Sequence, residues 1–301
     1  MSIISIQISK NFFLSIQRDS YINFKNYSLQ LLLSSERETI ESIQKEINSS
    51  NEKLTTNNPV LNQSYFFSNE LATIQVDVSD ASNCFNLNSI FIKKGNGVEI
   101  KKDNKEWLER LLRLKGVDAQ ERESFIDQLI DWVDSDNQPL NFGAENYFYI
   151  GPLSPINQYT PKRLLSNLSE IKNFPVLDQI GFKNISNNLC VLPGISNQLI
   201  NVNTLNKSHK NLIASFFDEE NLEFIESQIL DIPENGYDSV NEFSNKITQS
   251  VSWPSQILSI NSKTLLISSK VYNQTFSNQL DSLVILDISN SAKVLNRDFS
   301  F

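Results

Sequence analysis

Residues 1–58 contain neither glycine nor proline, and Pro59 is the first break. Ile4, Ile8, Phe12, Phe13, Ile16, Phe24, Tyr27, Leu31 and Leu32 recur there, many at spacings of three or four, which marks an amphipathic helix. The stripe continues over Glu36–Ile47 as Ile40, Ile43 and Ile47, with Glu41 and Lys45 paired in the favourable i,i+4 order. An Asn/Ser-rich break covers Asn48–Asn58. Over Ser64–Val78 the period becomes two, since Phe66 and Phe67, then Ala72, Ile74, Val76 and Val78, alternate with polar residues as strands do. Helical periodicity returns over Lys105–Val133. Trp107, Leu108, Leu111, Leu112 and Leu114 form one face. Gly116 breaks it, Asp118 and Glu121 are spaced as a capping box, and Phe125, Ile126, Leu129, Ile130 and Val133 line the next helix. A short helix over Ser166–Asn173, with Ser166 and Ser169 ahead of Glu170, stops at Pro175. Three more helices are predicted, from Asn203-Thr204 to Phe217, over Glu219–Leu230 and over Val240–Gln249. From Ser252 the pattern reads as strands at Ile257–Ile260, Lys263–Val271, Leu283–Ile288 and Ala292–Phe299.

Helix, strands, helical block, strands is the order expected when a helical block is inserted into a sheet domain. The predicted class is α+β: an N-terminal helix over 1–58, a β region over 59–90, an inserted α-helical domain over 91–250 and C-terminal strands over 251–301. With 301 residues and 40% hydrophobic content, the chain can bury one sizeable core or two smaller ones. No stretch of about 18 apolar residues spans a membrane, and no signal peptide is visible. Met1-Ser-Ile-Ile-Ser-Ile starts abruptly inside an apolar pattern, so more of the helix is expected upstream.

Between the helical block and a long polar region lies DWVDSDNQPLNFGAENYFY, residues 131–149. With Asp134 as position 1, Asp136 is position 3, Gln138 position 5, Leu140 position 7 and Glu145 position 12. That is the ligand spacing of a calcium loop, with alternate oxygens closed by a bidentate glutamate. Pro139 stands where such a loop has its glycine, so the turn is not that of an EF-hand. The stretch reads either as a cation loop or as an acidic helix end followed by a solvated turn. Its first aspartates sit at a helix C-terminus, which disfavours anions and which a bound cation would relieve. The all-oxygen donor set and a net charge of −9 favour calcium over zinc or copper.

The same stretch carries a family resemblance. D-W-V-D-x-D followed by G-A-E and an aromatic run resembles protein K of the type II secretion system, its largest minor pseudopilin. VSDASNCFNLNSI at 78–90, TPKRLLSNLSEI at 160–171 and NLCVLPGISNQLINVNTL at 188–205 resemble three further family segments in the right order. The resemblance covers 78–205. Two departures bear on the calcium site: Asn146 replaces the last aspartate of the family's GAED, and Arg163 replaces an asparagine. The implied fold is pilin-like, a long helix and antiparallel sheet with a large helical insertion. The implied function is that of a minor pseudopilin at the tip of the periplasmic pseudopilus, beside minor pseudopilins I and J. There it would help to start assembly and to limit fibre length. The implied location is the bacterial inner membrane, single-pass through a leader and hydrophobic segment upstream of Met1, with this domain in the periplasm. Spacing excludes Cys84 and Cys190 from paired-cysteine zinc patterns. They read as buried thiols in a reducing compartment or one long-range bond in the periplasm. Both lie in the family's cysteine-bearing motifs, which implies a Cys84–Cys190 disulfide.

The reading is of a structural protein, not an enzyme. His209, the one histidine, is flanked by lysines and has no nucleophile assigned to it, and no P-loop or dinucleotide-binding glycine pattern occurs. One alternative is a calcium-stabilised periplasmic binding or adhesion module. Another rests on Ile200–Leu205, which resembles the opening of helix-hairpin-helix nucleic-acid modules. The Gly-x-Gly hairpin is absent and the acidic neighbours Asp218, Glu219, Glu220 and Glu223 would repel phosphate, so no nucleic-acid partner is expected.

Overall fold

A computed structural model describes residues 2–50, 53–95, 97–152, 157–194, 197–217, 222–247, 255–262, 264–286 and 292–300. The chain forms two compact units, one from Met1–Ala81 with Lys263–Phe301 and the other from Ser82–Ser262. The class is the expected mixture of a long N-terminal helix, antiparallel sheet and helical block. The second unit extends past the expected 91–250 at both ends; among the described residues, 82–90 and 255–262 hold only two-residue pairings, 3-10 turns and loop, which carry no helical periodicity.

In the first unit a helix runs Ser2–Ser50. A five-stranded antiparallel sheet follows, with spatial order Tyr65–Ser68, Thr73–Asp80, Thr264–Tyr272, Ser277–Leu286, Ala292–Ser300. The two central strands come from opposite ends of the chain, with Val78 paired to Ile267. Alternation in Thr73–Asp80 buries Ile74, Val76 and Val78 in one core with Leu265, Ile267, Val271, Leu280 and Val284. The helix buries Phe24, Leu32 and Ile43 in the same core. Two polar positions on its buried stripe are satisfied by the sheet. Asn278 Nδ2 donates to Ser28 Oγ at 2.5 Å, and Arg297 donates to both oxygens of the buried Glu36 at 2.8–3.0 Å. Nearer the N-terminus the apolar stripe has no such cover: Ile8, Phe12, Phe13 and Ile16 are 50–68% exposed. The side chains of Ile4 and Ile47 lie outside the described residues.

The second unit is helical but short-winded. Its regular helices are Lys102–Leu114 and Ala119–Val133, the latter opened by the expected Asp118–Glu121 capping box, with Leu222–Leu230 and Val240–Ile247 behind them. Much of the rest is 3-10 turns and two-residue pairings. Ile257–Ile260 is not a strand of the large sheet; only Leu258–Ser259 is extended, and it pairs in parallel with Ile200–Asn201 inside this unit. Instead of one helix reaching Phe217, two 3-10 turns and the short helix Lys210–Ala214 follow Asn201. Over Leu168–Asn173 the turn is 3-10 and Asn167, not Ser166, caps it. Residues 218–221, 248–254 and 287–291, on which parts of three predicted elements fell, lie outside the described residues.

Buried asparagine amides hold these irregular segments. Asn83 donates to Asn201 O and Thr204 Oγ1 and accepts from Asn201 N. Asn86 Oδ1 accepts from Leu192 N, while Gln198 bonds the Asn86 amide and Cys84 carbonyl. Asn88 joins Leu165 and Leu192; Asn203 joins Tyr237 and Ile260. The Cys84–Cys190 disulfide forms beside the parallel pairing of Phe85–Asn86 with Leu189–Cys190, closing a separation of 106 residues. The double substitution Cys84→Ala/Cys190→Ala is expected to lower stability by roughly 2–5 kcal/mol, read as a shifted denaturant midpoint for the inserted unit.

Candidate functional site

The Ala119–Val133 helix ends at Asp134, whose amide still donates to Ile130 O at 2.9 Å. The chain then turns back along that helix. Asp131, fully buried on the last turn, accepts the Leu140 amide at 3.2–3.3 Å, and Asp127 accepts the Phe142 amide at 3.1 Å. Gly143 closes the turn from Leu140 O at 3.1 Å. A Cβ built on Gly143 would stand 1.9 Å from Asp131 Oδ2, so a larger residue here forces Asp131 or the turn to shift. Glu145, fully buried, then caps the Asn146–Tyr149 turn. Trp132 anchors the base: its ring meets Tyr149 at 5.0 Å and Phe174 at 5.6 Å, and Nε1 donates to Glu170 at 3.1 Å.

This return path brings together three of the five expected ligands. Asp134, Asp136 and Glu145 each offer a carboxylate oxygen, all within 4.8 Å of one another. The other two are not seen to join them. The described contacts of Gln138 and Leu140 are backbone ones: the Gln138 amide donates to Asp136 Oδ1 at 2.8 Å, and Leu140 bonds Asp131 and Gly143 through its main chain. Lys162, which sequence reasoning passed over, reaches the centre. Its Nζ donates to Glu145 Oε1 at 2.8 Å and Oε2 at 2.6 Å and to the Asp136 carbonyl, and it lies 3.8 Å from Asp134 Oδ1. The two departures from the family pattern are both spent on structure. Asn146 Oδ1 accepts from the Thr160 amide and hydroxyl at 2.7 and 2.8 Å, and Nδ2 donates to Asn137 at 3.1 Å. Arg163 pairs with Glu170 at 3.2 Å.

The electrostatics are those of crowded anions. Burial above all, then Asp134, Glu145 and Asp127, push the Asp131 carboxyl up to about 6, against the pull of the Leu140 amide. Burial and then Asp136 push Asp134 up to about 6, with Lys162 pulling the other way. An acid whose pKa is raised in the folded state loses folding stability as pH rises, here from near 4 to about 6. Burial also raises the Tyr149 hydroxyl, which has no hydrogen-bond partner among the described residues. Asp134 Oδ1 is a buried acceptor without a hydrogen-bond donor among the described residues, its ion-pair partner Lys162 standing off at 3.8 Å. An all-oxygen cluster with an unspent buried acceptor fits a hard divalent cation such as calcium.

Residues 83–194 match the family model described as type II secretion system (T2SS), protein K. Over that segment the chain is similar to protein K of the type II secretion system. A Klebsiella pneumoniae type II secretion system protein K is 31% identical over 147 residues, 49% of this chain and 44% of that protein. A Pectobacterium carotovorum subsp. carotovorum protein K is 29% identical over 150 residues, covering 46% of this chain and 42% of its own length. The chain thus spans under half the length of these curated relatives. In structure it is similar to a chain in the crystal structure of the GspK-GspI-GspJ complex from enterotoxigenic Escherichia coli. The TM-score is 0.79 at 19% identity, over 95% of this chain and 99% of that one, which establishes the shared fold. The matched family segment takes in the loop, both cysteines and Asn83–Asn88.

Gly143→Ala is expected to destabilise the inserted unit by about 1–3 kcal/mol, because either Asp131 or the turn has to move. A thermal melt beside wild type measures it; an unchanged melt would mean that the close approach to Asp131 is not maintained in solution.

Proposed function

We propose that the protein is a minor pseudopilin of the type II secretion system, placed at the tip of the periplasmic pseudopilus with minor pseudopilins I and J. There it helps start assembly and limits fibre length. The observation that carries this reading is the helix: Phe12, Phe13 and Ile16 form an exposed apolar stripe on an element whose later turns are packed on the sheet. Apolar area left at 50–68% exposure is suited to burial against a neighbouring subunit. The family segment and the likeness to the GspK-GspI-GspJ complex support the choice of partners. The disulfide supports the periplasmic location, with the inner membrane as the site of assembly. Among the described residues no helix is long and apolar enough to cross a membrane. The role is one of assembly rather than catalysis. The asparagines of the segment resembling a nucleic-acid module bond to backbone within the inserted unit, which favours a structural use of that motif.

Phe13→Asp/Ile16→Asp is expected to abolish co-purification with minor pseudopilins I and J and pseudopilus assembly, while the circular dichroism melt stays within a few degrees of wild type. Undiminished complex and fibre formation by the double variant would overturn the assignment of this face.

The loop around Asp134, Asp136 and Glu145 takes calcium in the same reading, as a structural ion fixing the return path after Val133. Support comes from the convergence of the three carboxylates and the unspent Asp134 oxygen. An ion bound by the folded state alone raises the melting temperature with its concentration. Calcium should therefore raise the melt, chelator should reverse it, and Glu145→Ala should remove the response. A wild-type melt indifferent to calcium would end this reading of the loop.

A further inference from the structure

The Lys162 ammonium lies among the oxygens of the acidic loop. It donates to both oxygens of Glu145 at 2.8 and 2.6 Å and to the backbone carbonyl of Asp136, and it lies 3.8 Å from Asp134 Oδ1, so it reaches residues at loop positions 1, 3 and 12. The backbone is shaped to deliver it. Lys162 has φ of 51°, a left-handed conformation uncommon for a residue with a side chain, and the preceding turn is tied down by the bonds from Thr160 to Asn146. Lys162 carries a single charge and three donors, which compensate one buried glutamate but not the whole acidic loop. Two cations cannot share one set of oxygens, since each would repel the other at a few ångströms. The lysine side chain remains 22% exposed while Glu145 is 1% exposed, so the lysine has a way out to water and the glutamate does not.

We propose that Lys162 is the loop's built-in cation: it holds Asp134, Asp136 and Glu145 together without metal and must yield its place when calcium binds. The proposal rests on the calcium reading of this loop and adds a competitor to it. A lysine at the site taxes calcium affinity by the fraction of molecules in which the ammonium is seated. It also makes folding of the loop independent of metal supply.

Calorimetric titration of the whole chain with calcium chloride, wild type beside Lys162→Gln, together with melts in chelator, tests this. The variant is expected to bind calcium about tenfold or more tightly than wild type. It should melt lower than wild type in chelator, and saturating calcium should close the gap. Lys162→Arg, which keeps the charge, should melt as wild type in chelator; a fall as large as that of Lys162→Gln would overturn the proposal in favour of packing by the stem. Calcium binding by Lys162→Gln no tighter than wild type overturns it as well. If wild type binds in that case the calcium reading survives, and if neither protein binds it falls too. An unchanged melt in chelator, or a variant that folds in neither chelator nor calcium, also counts against it.

Discussion

The inserted unit depends on buried amide side chains that do the work usually done by ladders of backbone hydrogen bonds. Much of its chain is 3-10 turns, two-residue strands and loops, and buried backbone groups in such segments need partners. Asn83, Asn86, Asn88, Asn201, Asn203 and Gln198 supply them, each buried and most joining segments more than 50 residues apart. An asparagine amide suits this because it donates and accepts at once, so one side chain can bond an N–H and a C=O of a passing strand. Deleting such a group would leave several buried backbone atoms unsatisfied, which costs more than the bond itself contributes. The disulfide lies within this network, with Cys84 bonded through its carbonyl to Gln198.

The acidic loop is built on that frame and is its electrostatic opposite. The asparagine network is neutral and fully spent, whereas Asp131, Asp134 and Glu145 concentrate negative charge at the end of a helix whose own dipole is unfavourable there. The backbone amides of Leu140 and Phe142 donate to Asp131 and Asp127 on the helix. The Glu145 carboxylate is met instead by the Lys162 ammonium.

Most of the fold could be read from periodicity where elements are long. The alternation at Ile74, Val76 and Val78, the capping box at Asp118 and the faces at Leu108–Leu112 and Phe125–Val133 are local signals, and local packing obeys them. Ile257–Ile260 misled because four apolar-rich residues look alike in a large sheet and in a two-residue pairing. The helix predicted up to Phe217 failed because Asn201 and Asn206 cap successive turns and compete with a continuous helix. In the site, Asp134, Asp136 and Glu145 were visible through spacing along one loop. Lys162 was not, because no spacing rule relates a residue in a polar stretch to a carboxylate 17 positions earlier. Only the fold-back tied by Asn146 and Thr160 makes them neighbours.

The N-V-N-T segment also has a kinetic consequence. Asn83, just after the chain leaves the sheet, and Ser259–Ile260, just before it returns, are both bonded to Asn201–Asn203. The strands they continue into, Thr73–Asp80 and Thr264–Tyr272, are hydrogen-bonded neighbours in the middle of the sheet. In an open chain those strands would meet only after a long search, since closing a distant loop costs entropy before any contact rewards it. Once the inserted unit has folded, its clasp presents both strand ends side by side, and the central pairing becomes as local as a hairpin. The pilin-like sheet is thus expected to mature second, templated by the domain that interrupts it.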